Sequence, residues 1–143
     1  MTLTVERTIR TSADAETVFP YLVDFRNATE WDAGTVSCER VSGNGGPGTT
    51  YKNVSKFAGN TVELEYTTEE VSEPRFVIVG RNETTMSHDT ITVRPEGSGS
   101  VVTYRADFEF TGLARFIAPI MTPLLGRLGD RTAAQLKEAL DRR

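Results

Sequence analysis

Few side chains in this sequence can do chemistry. There is one histidine, His88, and one cysteine, Cys38. A Ser-His-Asp or Cys-His mechanism therefore runs through His88 or not at all. A Cys/His zinc site needs about four such ligands, so that chemistry is excluded, as is a disulfide within the chain. No metal or cofactor is expected. His88 is followed by Asp89, the residue types that general acid–base catalysis uses. Both lie in a strand-like run, where neighbours point to opposite faces. With Ile91 and Val93 facing the core, Ser87 and Asp89 face it too. His88 then points outward with Met86, Thr90 and Thr92. A bulge within 84–90 would reverse this. An inward carboxylate costs free energy unless paired or hydrogen-bonded. Asp89 is therefore the more informative residue, as a polar anchor or as an acid/base with a shifted pKa. Catalytic candidates are Asp89, His88 and Tyr104.

Other motifs carry less. Gly43-Asn-Gly-Gly-Pro-Gly48 matches G-x-G-x-x-G, but a strand rather than a helix follows it. It reads as a hairpin turn and not a phosphate loop. Strand alternation spreads Glu63, Glu65, Glu69, Glu70 and Glu73 along an edge, which suits solubility and edge protection rather than a metal. Cys38 has only Arg40 nearby and reads as a small hydrophobe.

The elements that must position these residues follow from the 143 residues, which suit one domain spanning 1–143. Hydrophobic residues make up 38% and charged residues 25%, an ordinary globular balance. The net charge of −4, with no basic run, argues against nucleic acid. The start, MTLTVERTIR, has no apolar signal core, and no stretch of ~20 apolar residues exists. A cytoplasmic protein without a membrane span is expected, as a monomer or homodimer.

Residues 2–11 alternate as a strand, with Leu3, Val5, Arg7 and Ile9 on one face. Ser12 or Asp14 caps a helix carrying Val18, Leu22 and Phe25, with a bend or later start at Pro20. A second short helix spans 26–32. Six strands follow at about 35–42, 49–58, 61–72, 75–83, 85–94 and 100–110, separated by turns in the manner of consecutive hairpins. The C-terminal segment is helical, with one apolar face of Phe116, Ile117, Ile120, Met121, Leu124, Leu125 and Leu128, extended by Leu136 and Leu140. That face must cover the sheet, which leaves it little claim as a membrane-surface helix.

A strongly curved sheet wrapped on one helix leaves a gap between them, where a small apolar ligand can sit. Inward positions of the strands mix apolar and polar groups: Tyr51, Asn53, Ser55 and Phe57; Leu64 and Tyr66; Phe76; Tyr104 and Phe108. A sealed core needs fewer polar atoms. The ligand-contacting set is thus Arg7, Trp31, Tyr51, Asn53, Phe57, Tyr66, Phe76, Asp89, Tyr104, Phe108, Ile120 and Leu124.

The order of elements resembles the helix-grip fold of the START/birch-pollen-allergen (SRPBCC) superfamily, and within it the bacterial polyketide cyclase/dehydrase and lipid transport group. The resemblance covers nearly the whole chain. It rests on Val5-Glu-Arg-Thr-Ile9, Ala15-Glu-Thr-Val18, Tyr21-Leu-Val-Asp-Phe25, Trp31, Gly48-Thr-Thr-Tyr51, Val71-Ser-Glu-Pro74, Gly99-Ser-Val-Val-Thr-Tyr104, Gly112-Leu-Ala-Arg-Phe116 and Leu128-Gly-Asp130. It implies an α+β fold: a curved seven-stranded antiparallel sheet around a long C-terminal helix, with two short helices between strands 1 and 2. It puts Trp31 near the cavity rim. It sets the first strand beside the last and the sixth next, so that Arg7 and Asp89 meet across the cavity floor, through Tyr104. These motifs specify a fold and not a reaction. Three functions stand open: a binding module for a small hydrophobic molecule, lipid- or polyketide-like; a polyketide aromatase/cyclase or dehydratase; and an interaction protein with a vestigial cavity.

Overall fold

A computed structural model describes residues 2–143. In chain order it has β1 (Thr2–Thr11), α1 (Ala15–Val23), a 3-10 turn (Phe25–Asn27), α2 (Ala28–Trp31), β2 (Thr35–Ser42) and β3 (Thr50–Phe57). There follow β4 (Asn60–Ser72), β5 (Arg75–Arg81), β6 (Thr85–Glu96), β7 (Gly99–Phe110), a second 3-10 turn (Gly112–Ile117) and α3 (Ala118–Asp141). The strands form one antiparallel sheet in the order β1-β7-β6-β5-β4-β3-β2. Strands β2 to β6 each pair with their successor, and β1 pairs with β7 in the register Arg7 to Tyr104.

Local chemistry explains the short elements. The Asp14 carboxylate accepts the Thr17 amide at 2.8 Å, which caps α1. Pro20 sits inside α1 on its exposed side, and the helix runs on to Val23 without a later start. The Gly43–Gly48 segment joins β2 to β3, with Gly43, Gly45 and Gly48 at positive φ. The glycines serve the turn, since only they adopt that backbone without strain.

The C-terminal helix departs from expectation. Phe116, Ile117 and Ile120 are exposed, at 65%, 49% and 68%, and do not cover the sheet. Residues 112–117 form a 3-10 turn, and Pro119 stands in the first turn of α3. The buried stripe is therefore set by the helix that starts at Ala118: Ala118, Leu125, Gly129, Thr132, Leu136 and Leu140. Gly129 sits against β1. A Cβ there would meet Val5 Cγ1 at 2.6 Å and Arg7 Nη2 at 3.2 Å, so the helix can lie this close only on a glycine.

The buried side chains fall into two clusters. One gathers α1, α2 and the end of α3 on the sheet, around Phe25, Trp31, Tyr51, Phe76, Ile91 and Leu136. The other is smaller, with Val5, Phe110, Ala118 and Leu125 at its centre and Phe57, Phe108, Met121 and Leu128 beside them. No helix among the described residues is long and apolar enough to cross a membrane.

Candidate functional site: an apolar cavity with two carboxyl groups

A half-open cavity of about 130 Å³ lies between the sheet and α3. Its wall draws on both clusters: Val62, Leu64 and Tyr66 on one side, and Phe57, Phe108, Phe110, Met121, Leu125 and Leu128 on the other. Its size is near the roughly 150 Å³ at which an apolar void takes up a benzene-sized molecule. Ser55, Ser87, Tyr104 and Asp32 bring polar atoms to it. Asp32 also borders a smaller recess of about 20 Å³ against Val5 and Gly129.

Of the residues the sequence singled out, Phe57, Tyr66, Tyr104 and Phe108 line this cavity. Tyr66 has room because β5 presents Gly80 opposite it. Trp31, Tyr51, Asn53 and Phe76 are instead buried away from the wall, at 1%, 0%, 2% and 0% exposure. Phe25 is the reason for two of them. Its ring packs 6.1 Å from Trp31, 5.8 Å from Tyr51 and 4.7 Å from Tyr66, so the short helices fill that half of the space. Ile120 faces solvent, and Leu124 is half-buried outside the lining; Met121, Leu125 and Leu128 occupy the positions expected of them. The shift follows from the helix register set by the 3-10 turn and Pro119.

Alternation along β6 places Ser87, Asp89, Ile91 and Val93 inside. No bulge interrupts β6 beside β5 or β7 at this point. His88 is half-buried on the opposite face, in a shallow groove with Met86, Arg105 and Asp107. The two residues therefore do not form an acid/base pair.

The expected Arg7–Asp89 contact is not made. Arg7 Nε donates to Asp130 Oδ1 on α3 at 2.9 Å, Nη2 to the Gly126 carbonyl at 3.0 Å and Nη1 to the Glu6 carbonyl at 2.8 Å. Arg7 does share the inner face, but α3 packs against β1 at Gly129 and supplies two of its acceptors. Asp89 is held instead by the Ser87 hydroxyl at 2.6 Å and, at 3.5 Å, by the Tyr104 hydroxyl. Burial pushes the Asp89 carboxyl up to about 7, with the Asp32 charge adding to it and the Ser87 hydrogen bond opposing it. Burial also raises the Tyr66 and Tyr104 phenols well above their ordinary range, and the Asp89 charge acts in the same direction. Burial lifts the Cys38 thiol to about 11, so it stays protonated and inert.

Asp32 is the residue that sequence reasoning missed. It follows α2, in a segment with no periodicity to read. Its neighbours fix its hydrogen bonds. Asn53 Nδ2 donates to Thr35 Oγ1 at 3.1 Å, and that hydroxyl donates to Asp32 Oδ2 at 2.6 Å. The Ala33 amide donates to Thr132 Oγ1 at 3.2 Å, and that hydroxyl donates to Asp32 Oδ1 at 3.1 Å. Asn53 thus works behind the cavity wall by orienting Thr35. Burial raises the Asp32 carboxyl, while Thr35, Thr132 and the Gly34 amide act against that rise.

The fold is that of the START-like helix-grip proteins. The chain is similar to a START superfamily protein from Mycobacterium smegmatis, with a TM-score of 0.82, 16% identity and 97% of each chain covered. It is similar to the Zhui aromatase/cyclase from Streptomyces sp. R1128, with a TM-score of 0.84, 11% identity, and 100% of this chain and 96% of that one covered. The protein TTHA0849 from Thermus thermophilus gives a TM-score of 0.79 and 20% identity, over 98% of this chain and 97% of that one. At these identities the likeness is one of fold. No curated protein matches the sequence. Residues 2–141 match the polyketide cyclase / dehydrase and lipid transport family, and the chain belongs to it. Family and fold together support a hydrophobic-ligand-binding or polyketide-cyclase-type role.

Proposed function

We propose that the chain binds a small, largely apolar molecule in the cavity between the sheet and α3. The observation that carries this is the cavity of about 130 Å³, walled by Phe57, Leu64, Tyr66, Phe108, Leu125 and Leu128. Burying apolar ligand surface there is worth about 25 cal/mol per Å² before the cost of association. The polar atoms of Ser87, Tyr104 and Asp32 orient the ligand rather than supply most of its affinity. The test is native mass spectrometry of the protein purified from its own host, followed by organic extraction. A stoichiometric apolar adduct is expected. Failure to take up any apolar probe in solution would refute the reading.

Asp89 favours a second reading, that of a polyketide cyclase or dehydratase. A carboxyl group with a pKa of about 7, hydrogen-bonded by two residues of the cavity wall, is suited to moving a proton near neutral pH. Turnover of a polyketide-like substrate that is lost in Asp89→Asn would support that reading over simple binding.

A further inference from the structure

The ionisable groups around the cavity do not balance. Two carboxyl groups belong to it: Asp32 in its wall, and Asp89 behind Ser87 and Tyr104. Neither forms an ion pair among the described residues. Arg7, the cation on the inner face of β1, is taken by Asp130 and by the Gly126 and Glu6 carbonyls. Lys56 borders the cavity but is exposed, and it alternates outward between Ser55 and Phe57.

Asp32 is built to accept. The Thr35 hydroxyl already accepts from Asn53, and the Thr132 hydroxyl from the Ala33 amide, so both turn their hydrogens to the carboxylate. A carboxylate has about four acceptor positions. The two hydroxyls fill two of them, which leaves about two for the cavity. These two hydroxyl donors favour the charged form of Asp32 and act against the rise that burial causes. Asp89 accepts from the Ser87 and Tyr104 hydroxyls and lies behind them, so Asp32 is the carboxyl group that borders the cavity itself. A half-buried, unpaired carboxylate calls for a cation, and among the described residues none pairs with Asp32.

We propose that the occupant of the cavity is a hydrophobic amine, whose ammonium group sits on Asp32 while its apolar body lies against Phe108, Leu125 and Leu128. This rests on reading the cavity as the site for a small apolar molecule, and narrows that reading to a class. A neutral ligand leaves the Asp32 charge unmatched, and an anionic one adds a like charge to it.

The experiment is an NMR titration of the intact chain with three probes of one shape: 2-phenylethylamine, 2-phenylethanol and phenylacetate. The amine is expected to bind about tenfold or more tighter than the alcohol, as a charge-assisted hydrogen bond provides. Phenylacetate is expected to bind least. Asp32→Asn should bring amine and alcohol to within about threefold of each other. The wild-type ratio decides the matter even if that variant fails to fold. Equal binding of amine and alcohol, or tighter binding of phenylacetate, overturns the amine class and leaves apolar binding standing. Binding of none of the three overturns both. An amine preference that survives unchanged in a folded Asp32→Asn protein removes Asp32 as the seat.

Discussion

The ring of Tyr66 lies flat against Gly80 on the neighbouring strand, where a Cβ would meet three ring carbons at 2.7–2.9 Å. The two residues face each other in register across β4 and β5. The missing side chain at 80 is therefore what lets an aromatic wall stand at this point of the cavity. Gly80→Ala must push the ring into the cavity or strain the strand. Overpacking of this kind costs typically about 1–3 kcal/mol. Thermal unfolding should show a Tm lower by several degrees, and uptake of apolar probes should fall with it. A Gly80→Ala protein with unchanged Tm and unchanged binding would show that Tyr66 does not depend on this space.

Asp89 gives the fold a pH dependence of defined sign. Its carboxyl holds a proton up to about pH 7 in the folded protein, against 3.8 for the free side chain. Between these values the folded state binds more protons than the unfolded one. Stability therefore falls as pH rises from about 4 to 7, and the loss is complete above 7. The total is on the order of 4 kcal/mol. Asp24, Asp107 and Asp141 shift the other way, and their contributions fade only as pH drops below the ordinary carboxylate range. Denaturant unfolding of wild type and Asp89→Asn at pH 5 and pH 8 isolates the Asp89 part. The variant should gain on wild type by a few kcal/mol between the two pH values; a constant difference would mean that Asp89 titrates normally.

Two phenylalanines on inner faces should behave differently. Phe108 is half-buried on the cavity wall, stacked on Phe110 with ring centroids 6.5 Å apart. Phe76 is wholly buried in the larger cluster and does not reach the cavity. Phe76→Ala should cost about 3–5 kcal/mol of stability. Phe108→Ala should cost clearly less and weaken apolar-probe binding by about tenfold, the loss of part of one aromatic contact. Calorimetry and a binding titration on both variants check the pair. Equal stability losses with unaltered binding in Phe108→Ala would remove Phe108 from the site.

Much of this arrangement is written in local pattern. Alternation alone places Asp89 inside and His88 outside, because β6 has no bulge there to reverse it. The turn at Gly43–Gly48 and the hairpin order of β2 to β7 are likewise local. What escapes is set by distant partners. Asp32 belongs to the cavity because Thr132, a hundred residues later, reaches it from α3. Arg7 meets Asp130 and not Asp89 because α3 passes over β1 at Gly129, a closeness visible only once the two elements are packed. Ile120 leaves the apolar face while Met121 stays on it, because a 3-10 turn sets the phase of the helix after it, and a turn followed by two prolines has no period to follow.

The Arg7–Asp130 pair gives a test of that last packing. Asp130 is 74% exposed on its side chain and Arg7 30%, so solvent screens the pair and its charge attraction is worth at most about 1 kcal/mol. Arg7 does more than pair, since it also donates to the Gly126 carbonyl inside α3 and to the Glu6 carbonyl of β1. Its stem lies between strand and helix. Asp130→Asn should therefore change stability by less than about 1 kcal/mol, whereas Arg7→Ala should cost about 1–3 kcal/mol through lost packing and two lost hydrogen bonds. Neither change should move the titration of Asp89, which has its own partners in Ser87 and Tyr104. Carboxyl-carbon NMR shifts of Asp89 followed through pH 5–8 read this directly. A fall in the Asp89 pKa midpoint toward 4 in Arg7→Ala, or a rise above the wild-type value by a unit or more, would show that the two groups communicate across the cavity floor after all.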